Sequence, residues 1–101
     1  MNKYSRFNLP EEEIDYHLFG SGVTREELEL YTEAHLEDFK DAGLKIVRLI
    51  TGKGSHSSNG PVIRPIILAY LEKLTLKHEI KSYSYEKSTN GLNEGSIIVH
   101  L

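Results

Sequence analysis

Apolar and polar positions alternate from Ile14 to Leu18, and Phe19 extends the run, which predicts a first strand over residues 14–19. Gly20-Ser21-Gly22 breaks it. The next segment carries a helix-start signature. Thr24 is a good N-cap, Glu27 completes a capping box, and Val23 and Leu28 stand where a hydrophobic staple closes. Leu28, Tyr31, His35, Phe39 and Ala42 recur at helical spacing, and Gly43 supplies a stop with Leu44 able to pack back over it. The first helix is therefore expected over residues 25–42. An apolar run, Lys45 to Thr51, predicts the second strand. Ile63, Ile66, Ile67, Tyr70, Leu71 and Leu74 predict a second helix from about residue 62–64 to Leu76, with Pro65 confined to its first turn. Residues 79–86 read as a third strand with Tyr83 and Tyr85 on one face. Residues 88–95, rich in Asn and Gly, read as a turn, and the β-branched residues 96–101 as a fourth strand.

The order β-α-β-α-β-β implies strands joined through helices by right-handed crossovers, hence parallel pairing. The last two strands, joined by a short loop, are expected to pair antiparallel. The fold class is α/β: a two-layer sandwich with a four-stranded mixed sheet and two helices. Residues 1–13 read as an extended arm and residues 14–101 as one domain. The length of 101 residues suits a single core without metal or disulfide staples.

Between the second strand and the second helix lies Thr51-Gly52-Lys53-Gly54-Ser55-His56-Ser57-Ser58-Asn59-Gly60. Backbone N–H groups at a helix start lack intrahelical partners and carry partial positive charge, so they suit a phosphate. Glycines let the backbone approach it. Lys53, His56 and Arg64 add charge. The stretch is not a nucleotide-binding P-loop, because Val47 stands where that motif needs glycine and Gly54 where it needs Ser or Thr. An ordinary polar connection is the plain alternative. The net charge of −3 argues weakly against nucleic acid, but its distribution matters more. Residues 1–44 hold four basic against eleven acidic residues, a balance of −7, and residues 45–101 hold eight against four, a balance of +4. The glycine-rich stretch lies in the basic half.

Asp15 and His17 stand two apart on the first strand, so both point to one face. A carboxylate beside an imidazole fixes its tautomer and suits general acid–base work. A hydrogen-bonded pair at a strand end is the plain alternative. In parallel α/β sheets, ligands bind beyond the C-terminal ends of the strands, where His17 and Thr51 to Gly54 both fall. His35 on the helix stripe reads as structural, and His78 and His100 as structural or exposed. A zinc set of Asp15, His17 and His56 is conceivable, but no helix-spaced His pair or Cys supports it. The absence of cysteine excludes disulfides and thiol chemistry and agrees with a reducing compartment. No apolar run reaches transmembrane length and the start has no signal-peptide core, so no membrane role and a cytoplasmic location are expected.

With these motifs in order, the chain resembles the Smr domain, the small MutS-related family. Ile14-Asp15-Tyr16-His17 matches the family's Leu-Asp-x-His-like strand. Thr51-Gly52-Lys53-Gly54 matches its Thr- or His-Gly-x-Gly motif. Gly60 and Arg64 loosely match its helix entry. The resemblance spans residues 13–101 and implies a fold like the C-terminal domain of bacterial initiation factor three. It also implies nucleic-acid binding, on RNA, on ribosome-associated messages or on DNA, with endonuclease or nicking activity in several members. Carried over, Asp15 and His17 are catalytic, and Thr51, Gly52, Lys53 and Gly54 hold a backbone phosphate, with His56 and Arg64 beside them. The family has Gly directly after the His; here Leu18-Phe19-Gly20-Ser21-Gly22 follows, a longer turn. No cofactor is expected. An RNA substrate offers its own 2′-OH as nucleophile and needs no metal, whereas DNA requires water to attack and brings in a divalent metal. A monomer is expected. The alternative to an endonuclease is a non-catalytic nucleic-acid- or ribosome-binding module.

Overall fold

The computed structural model describes residues 10–17, 19, 22–52, 63–88 and 91–101, the backbone alone at 86–88 and 91–94. Six elements follow one another: β1 (Glu12–Asp15), α1 (Arg25–Asp41), β2 (Ile46–Ile50), α2 (Ile63–Leu76), β3 (Ser82–Ser88) and β4 (Gly91–His100). The strands form one sheet in the order β1-β2-β4-β3. β1 pairs with β2 in parallel, and β4 runs antiparallel to both of its neighbours. The α/β class, the mixed four-stranded sheet and the element order are those expected from the sequence. β4 separates β2 from β3, so the second crossover spans a strand rather than joining adjacent ones.

Alternation sorts the sheet into two faces. Ile14, Val47, Leu49, Ile97 and Val99 point to the helices and are buried with Leu28 and Leu36 of α1 and Ile63, Ile67, Tyr70, Leu71 and Leu74 of α2. Glu13, Asp15, Arg48 and Ile50 take the other face, where Arg48 Nη1 meets Glu13 Oε2 at 2.6 Å. Thr32 and Ser96 are buried polar residues among those described. The Thr32 hydroxyl donates to the Leu28 carbonyl at 2.8 Å, which leaves its oxygen to accept the buried Tyr16 hydroxyl. The Thr32 and Tyr16 hydroxyls are both satisfied, so their burial carries no large penalty. Burial also pushes the Tyr16 phenol up, the Thr32 bond opposing it.

Several boundaries differ from the sequence reading. β1 covers residues 12–15 rather than 14–19, taking in two glutamates assigned to the arm. Edge strands carry charge readily, and here the Glu11 carboxylate caps the ladder by accepting the Lys45 and Ile46 N–H groups at 2.6 and 3.1 Å. The buried stripe of α1 is Leu28, Thr32 and Leu36; Tyr31, His35 and Phe39 form its half-buried flank, and Ala42 is exposed. His35 is structural there, its Nδ1 donating to the Tyr31 carbonyl at 3.0 Å. The third strand starts at Ser82 because α2 needs residues beyond Leu76 to close. The eight-residue turn is mostly ladder: Ser88 pairs with Gly91, Lys87 with Leu92 and Glu86 with Asn93, after a register break between Tyr85 and Glu86. Asn and Gly signal a turn by composition, but a ladder is held by backbone groups that every non-proline residue has.

The expected capping box forms, with Thr24 Oγ1 accepting Glu27 N–H at 3.1 Å and Glu27 Oε1 accepting Thr24 N–H at 2.9 Å. Both helices end in the same wrap. In α1, Gly43 N–H donates to Lys40 and Leu44 N–H to Phe39; in α2, His78 N–H donates to Thr75 and Glu79 N–H to Leu74. The residue at the turn has positive φ in each case, +81° at Gly43 and 63° at His78. A side chain is strained there and glycine is not. His78→Gly is expected to raise stability by roughly 0.5–1 kcal/mol, and Gly43→Ala to lower it by about 1 kcal/mol, read from urea denaturation midpoints at constant slope. A His78→Gly chain no more stable than the parent would show that His78 is not strained.

Candidate functional site

Asp15 is the last residue of β1, and its partner across the parallel ladder is Ile50, the last of β2. One further bond, Tyr16 N–H to the Ile50 carbonyl at 3.0 Å, carries β1 past its formal end, and Tyr16 then buries its ring. That ring meets Tyr31 edge-on at 5.6 Å between centroids, and Phe19 meets Tyr31 at 4.9 Å. The aromatic cluster fixes the backbone that carries the residues either side of Tyr16. Asp15 is also held through its carbonyl, 3.5 Å from the Tyr31 hydroxyl.

His17 does not continue the strand; it lies in a turn. Asp15 Oδ1 accepts the His17 backbone N–H at 3.0 Å, the local bond by which an aspartate shapes a turn, and lies 2.8 Å from His17 Nδ1. The two side chains therefore meet through this turn, not through strand alternation. The pair faces solvent, with side chains 72% exposed at His17 and 45% at Asp15. With Nδ1 turned to the carboxylate, Nε2 is the nitrogen left to a ligand. The His17 N–H and then its ring hold the Asp15 carboxyl below the usual carboxylate range.

At the end of β2, Thr51 and Gly52 both donate their N–H groups to the Gly95 carbonyl, at 2.9 and 3.2 Å. Gly52 has φ +77°, and a Cβ there would meet nothing within 4 Å, so glycine serves the backbone conformation. Lys53, Gly54, His56 and Gly60 lie outside the described residues. Arg64 is the second residue of α2, where Pro65 is accommodated in the first turn. Its guanidinium carbon stands 4.9 Å from the centre of the Tyr85 ring. Because β1 and β2 are parallel neighbours and α2 begins after β2, Asp15, His17, Thr51, Gly52 and Arg64 share one end of the sheet.

Among the described residues, no three His, Asp or Glu side chains gather closely enough to hold a metal ion, and no helix is long and apolar enough to cross a membrane. Sequence reasoning missed two parts of this end: the Tyr16 anchor and the Arg64–Tyr85 contact. The signal for the first was Tyr16 itself, an aromatic residue between two polar ones. The second joins residues 21 apart in sequence, beyond any local pattern.

The family model for the Smr domain matches residues 21–101. No curated protein matches the chain. Among solved structures, the Smr domain of Thermus thermophilus MutS2 is similar with a TM-score of 0.64 and 26% identity, over 89% of this chain and 96% of that one.

Asp15 bonded to His17 belongs to the folded, ionised state, so its contribution to stability is present above the ordinary carboxylate range and lost as pH falls through the depressed folded value. Carbon-detected NMR titration is expected to place the Asp15 midpoint below the usual value of about 3.9. His17→Ala should move it only partway back, because the backbone N–H remains. A midpoint unmoved by the substitution would show that the imidazole does not touch the carboxylate.

Proposed function

The chain belongs to the Smr domain family, and we propose that it is a nucleic-acid-binding endonuclease in which Asp15 and His17 carry proton transfer. The observation that carries this reading is the exposed Asp15–His17 pair at 2.8 Å, on the sheet end that also holds the glycine-containing exit of β2. Phosphodiester cleavage needs a positioned phosphate, charge stabilisation and a proton acceptor. Lys53, Arg64, His56 and the glycine-rich exit of β2 beyond Gly52 supply the first two, the Thr51 and Gly52 N–H groups being held by the Gly95 carbonyl. His17, oriented through Nδ1 by Asp15, supplies the third at Nε2.

On RNA, Nε2 takes the proton of a 2′-OH, whose oxygen forms a bond to phosphorus as the bond to the 5′-oxygen breaks. The leaving oxygen is then protonated, and the ends are a 2′,3′-cyclic phosphate and a 5′-OH. On DNA, water would be the nucleophile and a divalent metal would assist it. The resident side chains are the same in both cases. A second reading, a binding module on nucleic acid or the ribosome without cleavage, is favoured by one observation: the family match begins at residue 21, after the pair.

Labelled single- and double-stranded RNA and DNA, incubated with and without EDTA and read by end-group analysis, separate these readings. His17→Ala is expected to lower cleavage by roughly 10²–10⁴-fold with binding kept, and Asp15→Asn to lower it through lost orientation. Lys53→Ala and Arg64→Ala are expected to weaken binding and to flatten its salt dependence by about 0.9 in log–log slope for each duplex phosphate contact removed. Full activity in both Asp15→Asn and His17→Ala overturns the catalytic assignment. Binding with no cleavage on any substrate establishes the module instead.

A further inference from the structure

We infer that Tyr85 and Arg64 form a platform for one unpaired nucleotide, with the base stacked on the Tyr85 ring and the phosphate on the Arg64 guanidinium. The inference rests on the proposed nucleic-acid function and names its substrate class: single-stranded nucleic acid, or a duplex with a base turned out.

The two side chains differ from their neighbours in having no other polar partner among the described residues. Tyr83, two residues earlier on the same face of β3, ties its hydroxyl to Glu72 at 2.8 Å. Tyr85 stands at the same face 44% exposed, and among the described residues its hydroxyl has no hydrogen bond. Arg64 makes no hydrogen bond or ion pair there either, and its Nε is buried without a partner. A guanidinium held over an aromatic ring without a carboxylate is an anion site with its orientation already set. A large aromatic left half-exposed beside it is an open π face. A nucleotide offers both complements at once, an aromatic base and a phosphate. An unpaired base is required, because bases within a duplex present edges and spend their faces on each other.

Register places this platform relative to the proposed cleavage centre. Tyr85 lies opposite Ile97, Ile97 opposite Leu49 and Leu49 opposite Ile14, one residue before Asp15. The row crosses the whole sheet, and with strands about 4.8 Å apart its ends are about 14 Å apart. Tyr85 shares the helix-covered face of that row and Asp15 the other, so a strand that meets both passes around the end of the sheet, a few nucleotides separating the stacked base from the phosphate at His17.

The test is fluorescence anisotropy on labelled single-stranded oligonucleotides, as RNA and as DNA, against the matched duplexes. The unmodified chain is expected to bind the single strands more tightly. Tyr85→Ala should weaken single-strand binding by about 5- to 100-fold and duplex binding little, while Tyr85→Phe stays near the parent. Arg64→Lys should keep the salt dependence and lose part of the single-strand preference. In parallel, irradiation of the unmodified chain with an oligonucleotide carrying 5-iodouracil should cross-link the peptide that contains Tyr85; this arm needs no mutant to fold. Loss in Tyr85→Ala that is equal on single strand and duplex, no loss at all, or cross-links confined elsewhere overturns the platform and leaves the endonuclease reading intact. A chain that binds no nucleic acid overturns both. RNA bound over DNA, or the reverse, with either showing the Tyr85 effect, supports the platform and identifies the sugar.

Discussion

The parallel ladder between β1 and β2 is closed at both ends by groups that are not part of it. Below, the Glu11 carboxylate takes the Lys45 and Ile46 N–H groups; above, Tyr16 N–H reaches the Ile50 carbonyl. A four-residue edge strand has few bonds of its own, so these closures decide whether it stays seated. Everything at the upper end depends on that seating. If β1 slid by one residue, every side chain on it would change face. Tyr16 would leave the core, and Asp15 would no longer meet the end of β2. The buried bond from Tyr16 to Thr32 extends the constraint to α1, so strand, helix and site share one register.

Carboxylates perform two kinds of work in this half of the molecule. Lys45 and Ile46 N–H groups hold the Glu11 carboxyl below the usual range, and His17 does the same to Asp15. Both are acceptors for backbone donors at strand ends, which is how an acidic segment can still define structure rather than merely repel itself. On the other side, Glu29, Glu33, Glu37 and Glu79 stand near Tyr70, where desolvation first and these charges next push its phenol up to about 12. These carboxylates gather on α1 and just past the end of α2.

Much of the fold was legible because it is local. The Thr24–Glu27 box, the Gly43 stop and the helix periodicities are short-range signals, and each element they define is present. What was not legible is non-local. Glu12 and Glu13 carry no β-propensity and become strand only because β2 offers its edge. His78 gives no hint of a left-handed turn, and the helix end it makes is forced by the packing of Ile80 beyond it. At the candidate site, Asp15 and His17 could be paired from their spacing alone, although the reason given by spacing, strand alternation, was replaced by a turn. The place of Arg64 at a helix start was readable; its ring partner was not. Lys53, Gly54 and His56 lie outside the described residues.

The register break in β4 has a further consequence. The pairing of β4 with β2 ends at Ser96, while its pairing with β3 resumes three residues away at Asn93. Beyond that point the two strands hold only each other. Such a hairpin can lengthen or shorten in matched steps without disturbing the rows below it, because no third strand counts its residues. The break acts as a joint between a sheet of fixed register and an extension of free length. Descendants of this chain can therefore vary how far the hairpin extends while the four-stranded core stays unchanged.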